Sequence, residues 1–181
     1  MMKTFLFCIL FVSFGASAQN FVPVDSASKV HFVIKNFGIN TGGDLSDLKG
    51  TINFSPADLS ACSFDVSVDA STVDTDNSMR DKSLTGEEYF DAARFPLLTI
   101  TSTKIDKTNK STDGFYYFTG KLTIKGVTKT LKFPFQAKEE NGGFLFTGNF
   151  RIDRTDFGVG EQNIVLSNLV DVTLSVFAKK S

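Results

Sequence analysis

The chain has 181 residues, with 19 Lys and Arg against 20 Asp and Glu, a formal net charge of −1 and a sequence pI near 5.8. Phosphate backbones are bound through a clustered positive excess, which this balance lacks, so no nucleic-acid partner is expected. With 41% hydrophobic residues and no tryptophan, the composition is that of a chain able to bury a core, and its length suits one domain.

Residues 1–18 read as a secretory signal. Lys3 supplies a positive n-region, Phe5 to Phe14 an apolar h-region, and Ala16-Ser17-Ala18 a small-residue cleavage site. Cleavage near Ala18 leaves a mature domain of residues 19–181, exported to a periplasm or secreted. Cys8 lies inside the apolar run rather than just after it, which argues against a diacyl anchor. No second apolar run is long enough to span a bilayer, so the mature chain is expected to lack a transmembrane segment. Cys62 is then the last cysteine, an internal disulfide is impossible, and a small buried hydrophobe is its expected role.

Period-two alternation dominates the mature chain. It predicts strands at Val30 to Ile34, Thr51 to Phe54, Phe64 to Ala70, Leu97 to Thr103, Phe115 to Ile124, Leu131 to Ala137, Phe144 to Phe150 and Leu169 to Phe177. About eight such strands joined by polar or Gly-containing turns suggest a meander, and a sheet of that size closes to remove its edges. The fold class expected is therefore all-β, a single antiparallel eight-stranded barrel with room for packed side chains or one small ligand. Of 20 phenylalanines four lie in residues 1–18, so sixteen remain to crowd the inward faces. Composition leaves open whether those rings fill the barrel or line a hollow.

Between Asp74 and Pro96 the alternation stops. The spacing of Met79, Leu84 and Tyr89 or Phe90 predicts a short helical insert around residues 78–92, and Pro96 returns the chain to extended form. Asp74, Asp76 and Ser78 resemble the start of a calcium loop, but Met79 replaces its glycine and Thr85 its bidentate glutamate, so no metal site is expected. Adjacent Glu87 and Glu88 do not share one cleft and read as a wet face. The single histidine, His31, sits in an alternating strand, without a nucleophile elbow or a second zinc ligand. Arg80-Asp81, and Arg154 with Asp156, each place a guanidinium beside a carboxylate, either as polar groups at a mouth or as a structural ion pair holding the insert.

These motifs, in their order, resemble the YceI-like family of lipid- or polyisoprenoid-binding proteins with lipocalin-like barrels. The resemblance runs from about Val22 to Ala178. It is carried by Arg80-Asp81 with Leu84, by Tyr89-Phe90-Asp91-Ala92 to Phe95-Pro96, by Gly120 to Lys129, and by Arg154 to Gly158. Members often carry histidines where this chain has Ser28 and Asn36, so no role of those histidines carries over. The resemblance implies an exported carrier or store for an isoprenoid or fatty-chain lipid, with no cofactor and no catalysis.

An apolar, Trp-free interior agrees with that, since each methylene removed from water contributes about 0.8 kcal/mol. The expected lining is Phe64, Val66, Val68, Ile100, Phe133, Phe135, Phe146, Phe150, Val172 and Leu174, with Arg80, Asp81, Arg154 and Asp156 as polar mouth or clamp. Two other readings stand beside it: an enzyme acting on a lipid-like substrate in the same barrel, and a stress-related interaction module with a filled barrel. Nothing in the residues selects an oligomeric state, a homodimer remaining open.

Overall fold

The computed structural model describes residues 19–108 and 114–181; the signal read at 1–18 lies outside them. Among the described residues ten strands form one antiparallel sheet. They are β1 (Gln19–Pro23), β2 (Lys29–Asn36), β3 (Ile39–Leu45), β4 (Lys49–Phe54), β5 (Ser63–Asp69), β6 (Leu97–Lys107), β7 (Phe115–Ile124), β8 (Val127–Glu140), β9 (Gly143–Asp153) and β10 (Leu166–Lys180). A short helix, α1 (Ser78–Thr85), lies between β5 and β6. Strands β4 to β10 follow one another as a meander, and β1 pairs with both β4 and β10, closing a ring of eight.

The long β10 makes this closure possible because it serves two partners along one edge. Leu166 to Ser175 pair with β2, whereas Ala178 to Lys180 pair with β1. The chain steps from one to the other through a 3-10 turn at Asp25–Ala27. Ser28 holds the step: its Oγ donates to the Val24 carbonyl (2.7 Å) and accepts from the Phe177 amide (3.0 Å). Strand β3 folds back on β2 and ends in a bridge, with the Asp44 amide donating to the Asp74 carbonyl at 2.8 Å and the Asp74 amide returning the bond at 3.0 Å. That bridge ties the β2–β3 hairpin to the start of the insert.

Strands β1 and β3 were not expected. β1 is only five residues long, and Ile39–Leu45 contains Gly42, Gly43 and Asp44, which break period-two alternation. The glycines have a packing reason: a Cβ at Gly43 would lie 2.5 Å from the Phe32 ring, so the hairpin closes only without one. Strand β6 continues past its expected end. A register shift between Ser102 and Lys104 lets Ile100 and Ile105, five residues apart, both face inward.

Register divides the interior into two halves. Tyr116 is opposite Phe135, Phe118 opposite Phe133, and Ala137 opposite Phe146, so the aromatic inward positions of β7, β8 and β9 fall at one level. Phe54 and Phe64 join them from β4 and β5, with ring centroids 5.1–6.4 Å apart and mostly edge to face. This end is packed solid, Phe54 being 1% exposed and Phe135 5%. Toward the other end β7, β8, β9 and β10 present Leu122, Ile124, Leu131, Phe150, Val170 and Val172, and there the packing opens.

Candidate functional site

A cavity of about 490 Å³ occupies the open half of the barrel. Its walls are mostly apolar, and their aliphatic part comes from much of the sheet: Val30 and Ile34 on β2, Leu45 on β3, Val66 and Val68 on β5, Leu98 and Ile100 on β6, Val172 and Leu174 on β10. Several of these inward residues, Val66, Ile100, Phe150, Val172 and Leu174, are only half-buried although they point into the barrel. A filled barrel would bury them as it buries Phe64, Phe133 and Phe146, so their exposure is the signature of the hollow.

Of the ten lining residues expected from sequence, Val66, Val68, Ile100, Phe150, Val172 and Leu174 lie on the cavity wall. Phe64, Phe133, Phe135 and Phe146 also face inward but belong to the packed aromatic end. Alternation defines a face and not a level along the barrel axis, which is why both groups look alike in sequence. Leu45, Leu122, Val170 and the insert's Leu84 and Phe90 also line the cavity and were not among the ten. Leu122 and Val170 carry a usable signal, since they continue the alternations of Phe115 to Ile124 and Leu169 to Phe177.

The insert forms the end wall. Met79, Arg80, Ser83 and Leu84 of α1, then Tyr89 and Phe90, all reach the cavity. Alone, α1 is short and has no buried residue, so its stability depends on its ends. Asn77 caps it, its side chain accepting from the Arg80 amide at 3.1 Å. Thr75 is the hub behind the cap, 5% exposed. Its amide and hydroxyl donate to the Asp81 carboxylate at 2.9 and 2.5 Å, while Arg80 Nε donates to that hydroxyl at 2.7 Å and an Arg80 terminal nitrogen to the Thr75 carbonyl at 2.6 Å. Arg80 and Asp81 are therefore joined through Thr75, with Arg80 at the cavity wall. Asp91 then turns the chain at a positive φ of 50°, and its buried carboxylate lies 2.9 Å from Arg94 Nε.

Arg154 and Asp156 part company. Arg154 is 4% exposed and reaches the cavity wall. Its guanidinium donates to the carbonyls of Val159 (2.7 Å), Glu161 (2.9 Å) and Ser167 (3.0 Å), fastening the connection between β9 and β10. Asp156 lies on the surface, 60% exposed, with Lys129 3.6 Å away. Lys125, in the turn between β7 and β8, links the insert to the β9–β10 connection by donating to the carbonyls of Glu88 and Gly158.

His31 reaches the cavity wall from β2, its Nδ1 2.6 Å from Asp44, which also meets Lys29 at 3.3 Å. Cys62 is half-buried; burial pushes its thiol pKa up from the ordinary value, and its Sγ lies 3.2 Å from the Ser55 amide. A thiol so placed is held in its unreactive form. Around the mouth Phe37 and Ile39, at the β2–β3 turn, are 74% and 71% exposed. The Phe37 amide donates to the Val165 carbonyl at 2.8 Å, which brings the fully exposed Ile164 to the same rim. No helix among the described residues is long and apolar enough to cross a membrane.

A model of the YceI-like domain matches residues 22–178. Protein YceI of Salmonella agona is 29% identical over 178 residues, covering 90% of this chain and 91% of that protein. A UPF0312 protein of Yersinia pestis is 32% identical over 154 residues, 81% of this chain and 78% of its own. Among solved structures, BcnA of Burkholderia cenocepacia superposes with a TM-score of 0.79 at 26% identity, covering 85% of this chain and 98% of that one. A polyisoprenoid binding domain from Saccharophagus degradans shares the fold, with a TM-score of 0.71 at 14% identity over 91% of this chain and 100% of its own.

Proposed function

This chain belongs to the YceI-like domain family, and on that premise we propose that it is an exported lipid-binding protein. It holds a polyisoprenoid or another long-chain amphiphile in the open half of the barrel, as a carrier or store that performs no chemistry on its cargo. The observation that carries the reading is the cavity of about 490 Å³ walled mostly by apolar side chains. Such a space favours a hydrocarbon over water, because water needs two to four polar partners, while most of the wall is apolar and Arg80 and Arg154 direct N–H groups to other protein atoms.

Export is supported by the basic, apolar and small-residue succession from Lys3 to Ala18 and places the protein in a periplasm or outside the cell. The carrier role is supported by where the polar groups go. Arg154 spends its N–H groups on backbone carbonyls, Arg80 and Asp81 converge on Thr75, and the Cys62 thiol is held neutral. Apolar Phe37, Ile39 and Ile164 at the rim suit a chain passing between a lipid phase and the cavity. Organic extraction of the purified protein followed by mass spectrometry is expected to yield an isoprenoid or acyl lipid, and delipidated protein to take up a fluorescent fatty acid. Protein that is empty as purified and takes up no probe would rule the reading out.

A further inference from the structure

We infer that the open end of the barrel docks on a lipid bilayer, with Phe37, Ile39 and Ile164 entering its surface, so that cargo is exchanged in contact with the membrane. The inference rests on the lipid-binding reading and adds the partner from which the cargo comes.

Exposed apolar residues are distributed unevenly over the barrel. Among the described residues eight large hydrophobic side chains are exposed, and seven of them belong to the end at which the cavity opens. Phe37 and Ile39 form the β2–β3 tip with Ile164 beside it, and Met79, 79% exposed, also lines the cavity from α1. Leu97 precedes Leu98, Val127 is opposite Ile124, and Leu169 precedes Val170, all three neighbours being cavity residues. Val22, opposite Lys179 on the outside of β1, is the exception. The β8–β9 hairpin at the packed end finishes instead in Lys138-Glu139-Glu140-Asn141.

Phe37 weakens its own turn. Phe37-Gly38, Lys125-Gly126 and Asn141-Gly142 turn three hairpins through the same backbone geometry, with φ of 48–50° and then 74–77°. Asn is favoured at the first of these positions and a bulky side chain is disfavoured. Phe37 takes it with its ring 74% exposed, so burial does not offset the strain. A local rule broken without a packing gain points to a role outside the chain. Ile164 is held out by built structure: Asn163 Oδ1 accepts from the Val165 and Leu166 amides at 3.0 and 2.6 Å, and the Val165 carbonyl accepts from the Phe37 amide.

Continuity with the cavity sets the occupant. Asn36, Thr41 and Leu166 line the mouth and are near neighbours in the chain of Phe37, Ile39 and Ile164. A protein seated there would stop the entrance, whereas a bilayer presents hydrocarbon to it. The three docking side chains are uncharged, so burial at the acyl boundary rather than attraction to anionic headgroups supplies the affinity.

Flotation of the protein with large unilamellar vesicles of phosphatidylcholine and phosphatidylethanolamine tests this. The wild type is expected to float with the vesicles, equally well at low salt and at about 0.5 M salt, where surface charge is screened. Phe37→Asn and Ile164→Ser are each expected to weaken partitioning at least about tenfold, and Val22→Ser to leave it unchanged. Phe37→Asn is expected to melt no lower than the wild type, because Asn suits the turn, so its loss of binding is not a loss of folding. Wild-type protein that stays off the vesicles, rim variants that float as well as the wild type, or binding abolished by salt would overturn the inference. So would a dimer, seen by light scattering, that Phe37→Asn dissociates while the vesicles stay bare, since it would assign this end to a second copy. Uptake of a fluorescent fatty acid separates the two readings. Uptake without docking sinks the docking surface alone, whereas docking without uptake supports the surface and strikes the lipid-binding reading.

Discussion

Arg154 and Asp156 occupy one 3-10 turn two residues apart, yet they sit in opposite environments. The guanidinium is buried among backbone carbonyls, whereas the carboxylate is 60% exposed and faces Lys129 at 3.6 Å. Removing the first orphans several buried acceptors, each costing about 1–3 kcal/mol. Arg154→Ala is therefore expected to lose at least about 3 kcal/mol of stability, and Arg154→Lys to recover little because one ammonium nitrogen cannot stand in for the three guanidinium nitrogens that reach Ser167, Val159 and Glu161. Asp156→Ala is expected to stay within about 0.5 kcal/mol of the wild type. Urea unfolding of the three variants measures this, and similar losses for Arg154→Ala and Asp156→Ala would contradict it.

Thr75 joins α1 to the β3 bridge, so its hydroxyl decides how firmly the insert covers the cavity. Thr75→Val keeps the shape and removes one donor to Asp81 and one acceptor for Arg80. A destabilisation of about 1–3 kcal/mol is expected, together with faster release of a bound fluorescent fatty acid in stopped-flow. Arg80→Ala is expected to speed release as well. Release rates and melting temperatures unchanged in both variants would mean that the insert does not act as a cover.

The two halves of the barrel predict opposite responses to a change of side-chain volume. In the packed half, Phe135→Ala leaves a void beside Phe54, Phe64, Tyr116 and Phe146 and is expected to cost about 3–5 kcal/mol. In the open half, Val172→Phe enters empty space. It is expected to change stability by less than about 1.5 kcal/mol while weakening uptake of the fluorescent fatty acid. A large loss of stability from Val172→Phe would show that this half is filled.

The pH dependence comes from which ionised groups the fold favours. Asp58 and Asp69 are held below the ordinary carboxylate value, chiefly by the hydroxyls of Ser60 and Ser71, and Asp171 by its hydrogen bond from Arg151. A depressed folded pKa contributes stability above the unfolded value of about 3.9, lost as pH falls through the folded value. Lys49 is raised by its hydrogen bond to Asp47, and Cys62 is raised by burial, so their contributions hold below their unfolded values and disappear as pH rises through the folded ones. Melting temperature against pH is expected to show a plateau from about pH 5 to 8, with losses below about pH 4 and above about pH 9. In Ser60→Ala the Asp58 carboxyl is expected to titrate at higher pH by NMR, and an unmoved titration would refute the assigned cause.

The insert shows how far the residues could be read in order. Its helix was legible from the break in alternation at Asp74 and from the return to extended chain at Pro96, and α1 occupies Ser78–Thr85 within that stretch. Its fastening was not legible. Arg80 and Asp81 are neighbours of opposite charge, which suggests a pair, but helical geometry sends both to Thr75. Strand β3 was missed for a related reason: Gly42 and Gly43 carry no alternation signal, because they serve Phe32 and His31 across the hairpin.

By itself the sequence determined an all-β barrel with one helical interruption and an apolar interior, because alternation and turn residues act over a few neighbouring positions. Tertiary structure alone decided that half of the interior is solid and half is hollow. Phe133 and Phe150 look equivalent on their strands, yet one belongs to the packed floor and the other to the cavity wall. The difference lies in neighbours: Phe133 is opposite Phe118 on β7, stacks on its ring and packs over Gly148 of β9, whereas Phe150 has the cavity on one side. Such neighbours come from strands far apart in the chain and are fixed only when the barrel closes, so local periodicity carries no record of them.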